Sequence, residues 1–238
     1  MNIFCVKIGK KYDYTWVNRL YKMCRKNITK PFNFFCYTDD KSNIDPNINI
    51  LNYLDHNLDV IVYNKLFLLS SDMSRVIDDE PRLYFDLDIV IKHNIDKLLE
   101  FKSNTLAVIK CVWKDTHFNN MGYPNFDHDI NSSCMMWEKG KAEHIWDHFY
   151  RDPEFFMMKY KNGMDPYLYY EHKQRGDLPK VFFHSYLYGA DLEKTEWARD
   201  KNGDIQAHLI EHIVEPIPIT LFNSGYEYIH RYAKYYED

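Results

Sequence analysis

The stretch RLYFDLDIVI, residues 82 to 91, is mostly apolar, yet it carries two carboxylates, Asp86 and Asp88. Read as one β-strand, it places both side chains on the same face, because residues two apart in a strand project in the same direction. Two unpaired acids there would repel each other and resist burial. The sequence therefore predicts a positive charge between them, and Mn²⁺ or Mg²⁺ prefers such oxygen ligands.

The same stretch has a second interpretation. If the strand ends at Phe85, Asp86 and Asp88 lie in a turn where water solvates both carboxylates. Under the first interpretation the pair lies at the carboxyl end of a sheet strand, where α/β folds bind ligands, and can hold a cation against a diphosphate. The residues themselves leave both interpretations open.

The rest of the chain alternates strand patterns with helical patterns. Residues 2–6 and 32–38 read as strands, and a helix between them carries apolar side chains on one face: Val17, Leu20, Tyr21 and Cys24. This order opens a parallel α/β sheet. The further predicted elements are a helix over 62–77, strands over 105–111 and 130–137, a helix around 142–149, strands over 181–189 and 217–222, and a closing helix over 226–236.

Composition limits the function classes. The 238 residues fit one globular domain with a substantial core, and a net charge of -5 disfavours a protein that coats nucleic-acid phosphates. Because no apolar run reaches the length of a signal peptide or membrane span, we predict a cytoplasmic protein without a transmembrane segment. The five cysteines form no CxxC pair, which indicates buried thiols.

Four collinear segments carry a family resemblance: KKYDYTWVNRLYKMCRKNITKPFNFFCYTDD (10–40), YNKLFLLS (63–70), RLYFDLDIVI (82–91) and INSSCMMWEKG (130–140). In this order they resemble glycosyltransferases of the GT-A fold, near the glycogenin and galactosyltransferase group called family 8. The resemblance spans roughly the first 140 residues and weakens afterwards.

The resemblance implies an α/β, GT-A (Rossmann-like) fold with a mixed, mostly parallel central sheet flanked by helices. It implies a single domain over residues 1–238. Within it, residues 1–110 form the nucleotide-binding half that includes the DxD motif, and residues 111–238 form the acceptor-binding half and the C-terminal helix.

The resemblance also implies roles in donor binding. Asp86 and Asp88 correspond to the DxD motif that binds Mn²⁺ or Mg²⁺ and the donor diphosphate, and Asp86 also approaches the ribose. Tyr12 lies in the loop that corresponds to the cradle of the nucleotide base. Lys65 falls where the family places a basic residue near the donor, with Arg75 as a weaker rival. A structural salt bridge is an equally good interpretation of Lys65.

Further residues correspond to the rest of the site. Asp39 and Asp40 lie where a nucleotide contact fits, although a turn-forming pair of acids explains them as well. Asn131, Ser132 and Ser133 resemble the segment that lines the sugar and acceptor site, and their amide and hydroxyl groups suit hydrogen bonds to sugar hydroxyls. The alternative for these three is an edge strand with polar residues facing water.

The last two assignments depart from the family pattern. Asp165 resembles the acid that reaches the acceptor or donor sugar, but Pro166 stands where Gln often follows; Asp165 also fits a helix N-cap. The family's third metal ligand is a histidine near the chain end, and Asn223 occupies that place here. In the alternative interpretation Asn223 merely precedes the last helix, and His184 is a rival ligand.

Together these assignments imply metal-dependent transfer of a sugar from a nucleotide-diphosphate sugar to an acceptor hydroxyl. The donor is expected to be a UDP-sugar first and a GDP-sugar second, with retention of anomeric configuration. The acceptor can be a carbohydrate, a lipid-linked molecule or a protein. Two alternatives stay open: a non-catalytic nucleotide-sugar-binding protein, and a haloacid dehalogenase-type phosphatase with Asp86 as nucleophile.

Overall fold

The computed structural model describes residues 1–78, 80–110, 128–161, 163–179, 183–187, 190–191, 195–199, 205–209 and 218–222. The predictions for Asn223 and for the closing helix over 226–236 lie outside these residues, and so does the side chain of His184. Within the described part of the chain, no helix is long and apolar enough to cross a membrane.

Helices and strands alternate along the first half of the chain. The helices are α1 (Tyr14–Asn27), α2 (Ser71–Val76), α3 (Glu143–Phe149), α4 (Pro153–Lys159) and α5 (Met164–Glu171), together with a 3₁₀ helix over Ile61–Leu69. The strands are β1 (Asn2–Lys7), β2 (Asn33–Thr38), β3 (Asn49–Asn52), β4 (Arg82–Phe85), β5 (Ile89–Ile91), β6 (Ala107–Lys110), β7 (Ile130–Trp137), β8 (Gly176–Leu178), β9 (Phe183–Leu187), β10 (Ala190–Asp191), β11 (Thr195–Arg199), β12 (Ile205–Leu209) and β13 (Ile219–Phe222).

The main sheet has seven strands in the order β3-β2-β1-β4-β7-β6-β8. Strand β7 runs antiparallel to its neighbours β4 and β6, and the other pairs are parallel, so the predicted mixed, mostly parallel sheet is confirmed. A second sheet in the order β10-β9-β13-β5 and a β11-β12 pair were not predicted.

The prediction of one continuous strand over 82–91 is wrong. Strand β4 ends at Phe85 in the main sheet, and β5 begins at Ile89 in the second sheet, where it pairs antiparallel with β13. The chain therefore passes from one sheet to the other through the turn that contains Asp86 and Asp88. Both strands are buried, so a run of apolar residues covers them without marking the boundary.

Side chains alternate between the two faces of the main sheet. Ile3, Cys5 and Leu83 belong to one buried cluster, which includes the apolar side of α1, whereas Phe4 and Tyr84 belong to another. This period of two is what a strand covered on both faces requires. The second cluster draws further members from strands β2, β6 and β7, from the 3₁₀ helix and from α2 to α5.

Helix α1 forms as predicted. Asp13 caps its first turn by accepting a hydrogen bond from the Thr15 backbone N–H. The four side chains predicted to share one face are all buried: Val17, Leu20, Tyr21 and Cys24. At its last residue, the Asn27 amide donates to the carbonyls of Met23 and Ile91, both at 3.0 Å, and so joins α1 to β5.

The helix predicted over 62–77 is divided in two. Residues Tyr63–Leu69 are all buried, including the polar Asn64 and Lys65, and they belong to the 3₁₀ helix rather than to a long amphipathic α-helix. Ser70 then adopts an extended backbone conformation, and its hydroxyl accepts a hydrogen bond from the Met73 backbone N–H, which starts α2. Ser70, a residue type common at helix N-caps, was the sequence signal for this break that the prediction missed.

Replacing Asn27 tests the link between α1 and β5. In Asn27→Ala the Ile91 carbonyl loses a buried donor, so we expect the free energy of unfolding to fall by roughly 1 to 3 kcal/mol. Urea denaturation measures the change. Lys26→Ala, at an exposed neighbour on the same helix, is the control; equal stabilities of the two variants would contradict the role given to Asn27.

Candidate active site

The polar residues of interest meet at one edge of the main sheet. Parallel strands β1 and β4 end there, at Lys7 and Phe85. Antiparallel β7 begins there, because Phe85 pairs with Cys134 and the Asp86 backbone N–H donates to the Ser133 carbonyl at 2.8 Å. The end of β4 and the start of β7 thus bring the acidic turn beside the polar segment of β7.

Asp86 is held through a single carboxylate oxygen. The Lys65 ammonium lies 3.3 Å from its Oδ1, and the Tyr84 hydroxyl donates to the same atom. Lys65 also donates to the Ser132 carbonyl at 3.3 Å. Burial raises the pKa of Tyr84 well above its usual value, so its hydroxyl keeps its proton and remains a donor. The salt bridge expected for Lys65 is present, and it lies within the site.

Asp88 is held from the other side. The Tyr12 hydroxyl donates to its Oδ2 at 2.7 Å. Burial, and next the charge of Asp86, raise the pKa of Asp88 to about 6, although the Tyr12 hydrogen bond and the charge of Lys11 act in the opposite direction. The strand does end at Phe85, as the turn interpretation required. However, protein side chains hold both carboxylates, so the expectation that water solvates them is wrong.

Each carboxylate has one oxygen that the protein leaves for another partner. Within the described part of the chain, no hydrogen bond from another residue reaches Asp86 Oδ2 or Asp88 Oδ1. Two such oxygens in one turn, next to a charge conflict that burial aggravates, form a donor set that fits a hard cation. The described residues contain no group of three His, Cys, Asp or Glu side chains that could hold a metal ion.

Two side chains accept hydrogen bonds from backbone N–H groups at the start of β7. The Ser132 N–H donates to Asp165 Oδ1 at 2.9 Å, and the Ser133 N–H donates to Asn131 Oδ1 at 2.8 Å. Asn131 and Ser132 are buried, and β7 is an inner strand of the sheet. The alternative of a water-facing edge strand is therefore wrong.

Asp165 is not an N-cap. Helix α5 begins at Met164 after Gly163, which has φ of 112°, and no side chain caps it. The Asp165 carboxylate instead bonds to β7. The Tyr63 hydroxyl lies within hydrogen-bond distance of the Tyr160 and Gly163 carbonyls, at 2.8 and 2.9 Å, and this contact fixes the start of the helix that carries Asp165.

Asp39 acts on the loop between β1 and α1. Its Oδ2 accepts from the Gly9 backbone N–H at 2.9 Å, and its Oδ1 lies 3.7 Å from the buried Lys7 ammonium. Asp40 forms the predicted turn by accepting from the Ser42 N–H. Asp39 therefore positions the loop that carries Tyr12.

One predicted residue lies away from the site, and two residues near the site were not predicted. Arg75, the rival to Lys65, is 77% exposed and pairs with Asp72, so the structure does not bring it to the site. Tyr84 was missed, although it lies on β4 only two positions before Asp86. Lys11 was also missed; its ammonium lies 4.8 Å from the centre of the Tyr12 ring.

The described fold is similar to solved glycosyltransferases. An active-site mutant of LgtC superposes with a TM-score of 0.61 at 11% identity, over 100% of this chain and 97% of that chain. Galactosyltransferase LgtC in complex with donor and acceptor sugar analogues gives 0.57 at 12% identity, with the same coverage. GlyE of Streptococcus pneumoniae TIGR4 gives 0.50 at 10% identity, over 76% of this chain and 46% of that chain.

These similarities show that the chain has the GT-A glycosyltransferase fold, and they confirm the predicted fold class. At identities near 10% they concern the fold alone. No protein-family model matches the chain, and no curated protein sequence matches it.

Replacing Asp88 by its neutral isostere tests the charge conflict. Asp88 binds its proton more tightly in the folded chain, with a pKa of about 6 against 3.8, so the free energy of unfolding falls as pH rises between these values. We expect Asp88→Asn to match the wild type near pH 4. At pH 7.5 in EDTA we expect it to be more stable by roughly 1 to 2 kcal/mol. Urea denaturation at both pH values measures this difference.

The control for this comparison is Asp40→Asn, which removes an equal charge at an exposed turn where hydrogen bonds to Ser42 lower the carboxyl pKa. No gain in stability is expected there. A loss of stability in Asp88→Asn at pH 7.5 would contradict the charge conflict.

Proposed function

We propose that this protein is a metal-dependent glycosyltransferase that moves a sugar from a nucleotide-diphosphate sugar to an acceptor hydroxyl. The leading donor is a UDP-sugar, with a GDP-sugar second, and the reaction retains the anomeric configuration. The observation that carries the proposal is the turn between the two sheets. In a GT-A fold, it presents two crowded carboxylates at the edge where ligands bind, each with one oxygen left for a partner.

Mn²⁺ or Mg²⁺ is the cofactor that these residues fit. Asp86 Oδ2 and Asp88 Oδ1 would hold it, and the diphosphate would add further oxygen ligands. Asn223 stays our proposed third protein ligand. When bound, the ion stabilises the negative charge that develops on the leaving diphosphate.

The protein's own side chains orient the reactants. Lys65 balances part of the Asp86 charge and, through the Ser132 carbonyl, keeps β7 next to the acidic turn. Asp165 and the Ser133 hydroxyl are proposed to hydrogen-bond sugar hydroxyls of donor and acceptor. The Tyr12 ring, in edge contact with Trp16 at 5.0 Å between centres, is proposed to border the nucleotide base.

A thermal-shift panel of nucleotide sugars with and without Mn²⁺ tests the proposal. A rise in melting temperature that needs both UDP-sugar and Mn²⁺ is expected, because a ligand that binds only the folded state stabilises it. Asp88→Ala should abolish this rise, whereas Asp40→Ala, at the exposed turn, should keep it. Mn²⁺-dependent release of UDP from a UDP-sugar should follow the same pattern.

Indifference of the wild type to every nucleotide sugar would contradict the proposal. Binding without release of UDP, in the presence of a range of sugar acceptors, would favour a non-catalytic nucleotide-sugar-binding protein. The GT-A fold argues against the haloacid dehalogenase-type phosphatase, and release of phosphate from p-nitrophenyl phosphate, lost in Asp86→Asn, would reverse that judgement.

Tyr84→Phe tests whether the Tyr84 hydroxyl orients Asp86 for the cation. Without the hydroxyl, Asp86 Oδ1 keeps only Lys65, and groups that orient a metal ligand typically account for about 10-fold to 100-fold in metal affinity. We therefore expect the Mn²⁺ dissociation constant in the presence of UDP to rise at least about 10-fold. Electron paramagnetic resonance of free Mn²⁺ measures it.

The matched control is Tyr53→Phe, which removes a hydroxyl that donates to exposed Asp55 at 3.3 Å. Its Mn²⁺ affinity should stay at the wild-type value. If Tyr84→Phe also leaves the affinity unchanged, the Tyr84 hydroxyl has no part in orienting Asp86.

A further inference from the structure

A groove of about 350 Å³ lies at the opposite edge of the main sheet from the candidate active site. It runs between the end of α1 and the starts of β2 and β3. Its lining residues include Tyr21, Arg25, Phe32, Asn33, Asn47 and Asn49. Strand β2 separates it from the acidic edge by about 16 Å, at roughly 3.3 Å per residue. None of the described residues proposed for the transfer site lines this groove.

One wall of the groove is aromatic. The Tyr21 ring contacts Phe32 at 6.5 Å and Phe34 at 5.3 Å between ring centres. Phe32 is only partly buried, so part of its surface faces the groove. An exposed ring face beside polar groups is a surface on which the C–H side of a sugar ring packs.

The Arg25 side chain, which forms no salt bridge among the described residues, lies near this aromatic wall. The Arg25 guanidinium lies 6.0 Å from the centre of the Tyr21 ring. Among the described residues, no carboxylate lies within ion-pair distance of Arg25, whereas the other lining cation, Lys30, is paired with Glu100 at 2.6 Å. Arg25 is exposed and keeps all its donors for a ligand, and guanidinium donors suit a carboxylate or phosphate.

The groove lining also supplies hydrogen-bond acceptors. The Asn49 side-chain N–H donates to the Phe34 carbonyl, and the Asn33 side-chain N–H donates to Asn2 Oδ1, both at 3.1 Å. Both asparagines thus use their amide N–H groups within the protein. Their carbonyl oxygens have no donor among the described residues, and such oxygens suit sugar hydroxyl groups.

We propose that this groove binds an anionic oligosaccharide. The aromatic wall takes the apolar side of a sugar ring, the asparagine oxygens accept from its hydroxyls, and Arg25 takes its carboxylate or phosphate. That such a chain is an extended part of the transferase's acceptor rests on the proposed function. The binding itself does not, because it needs neither metal nor nucleotide sugar.

Isothermal titration calorimetry without metal or nucleotide tests the groove. Hyaluronan hexasaccharide, with one carboxylate per disaccharide, is expected to bind with a dissociation constant of about 0.1 to 1 mM, as suits an open site. Arg25→Gln should weaken this binding by up to about fivefold, the upper end of the contribution of one exposed ion pair. Phe32→Ala should weaken it as well, and neutral maltohexaose should bind more weakly than hyaluronan.

The matched control is Lys26→Gln, which removes the neighbouring exposed charge of α1 outside the groove. It should leave the affinity within about twofold of wild type. Three results would overturn the proposal: no hyaluronan binding, equal binding of maltohexaose, or equal loss in Lys26→Gln and Arg25→Gln. The calorimetric assay involves no sugar transfer, so a negative result would not contradict the proposed function. Likewise, a failure to bind nucleotide sugars would not contradict oligosaccharide binding in this groove.

Discussion

Two carboxylates held two residues apart in a partly buried turn are the constraint on which the rest of the site depends. Water cannot fully solvate Asp86 and Asp88, and each raises the energy of the other's charge. Lys65, Tyr84 and Tyr12 relieve part of this conflict, but each contacts only one oxygen of its carboxylate. The remaining oxygens and the remaining negative charge make the turn a place for a cation rather than a closed ion pair.

The fold keeps the acids in this position. Leu87, between them, is buried in the same cluster as Ile89 and Ile91 of β5. Because β4 belongs to one sheet and β5 to another, the turn is anchored at both ends and in its middle, and the acids cannot move out into water. The stability given up at the turn is supplied by the surrounding apolar core, a trade that is common at functional sites.

Local patterns predicted most of the first half of the fold. Alternating and helical apolar spacing is a property of nearby residues, so β1, α1, β2 and β7 were read correctly. The break after Phe85 could not be read, because the partner that draws β5 into another sheet, β13, lies about 130 residues later. Similarly, the roles of Tyr84 and Asp165 depend on contacts with Asp86 and Ser132 that only the tertiary structure creates.

A crystal structure with Mn²⁺ and UDP, with anomalous data that locate the manganese, tests most directly whether the acidic turn binds a cation. We expect a manganese peak within coordination distance of Asp86 Oδ2 and Asp88 Oδ1, next to the diphosphate, while Lys65 and Tyr84 stay on Asp86 Oδ1. A manganese peak away from both carboxylates, or nucleotide bound at this edge with no ion between the acids and the phosphates, would contradict it.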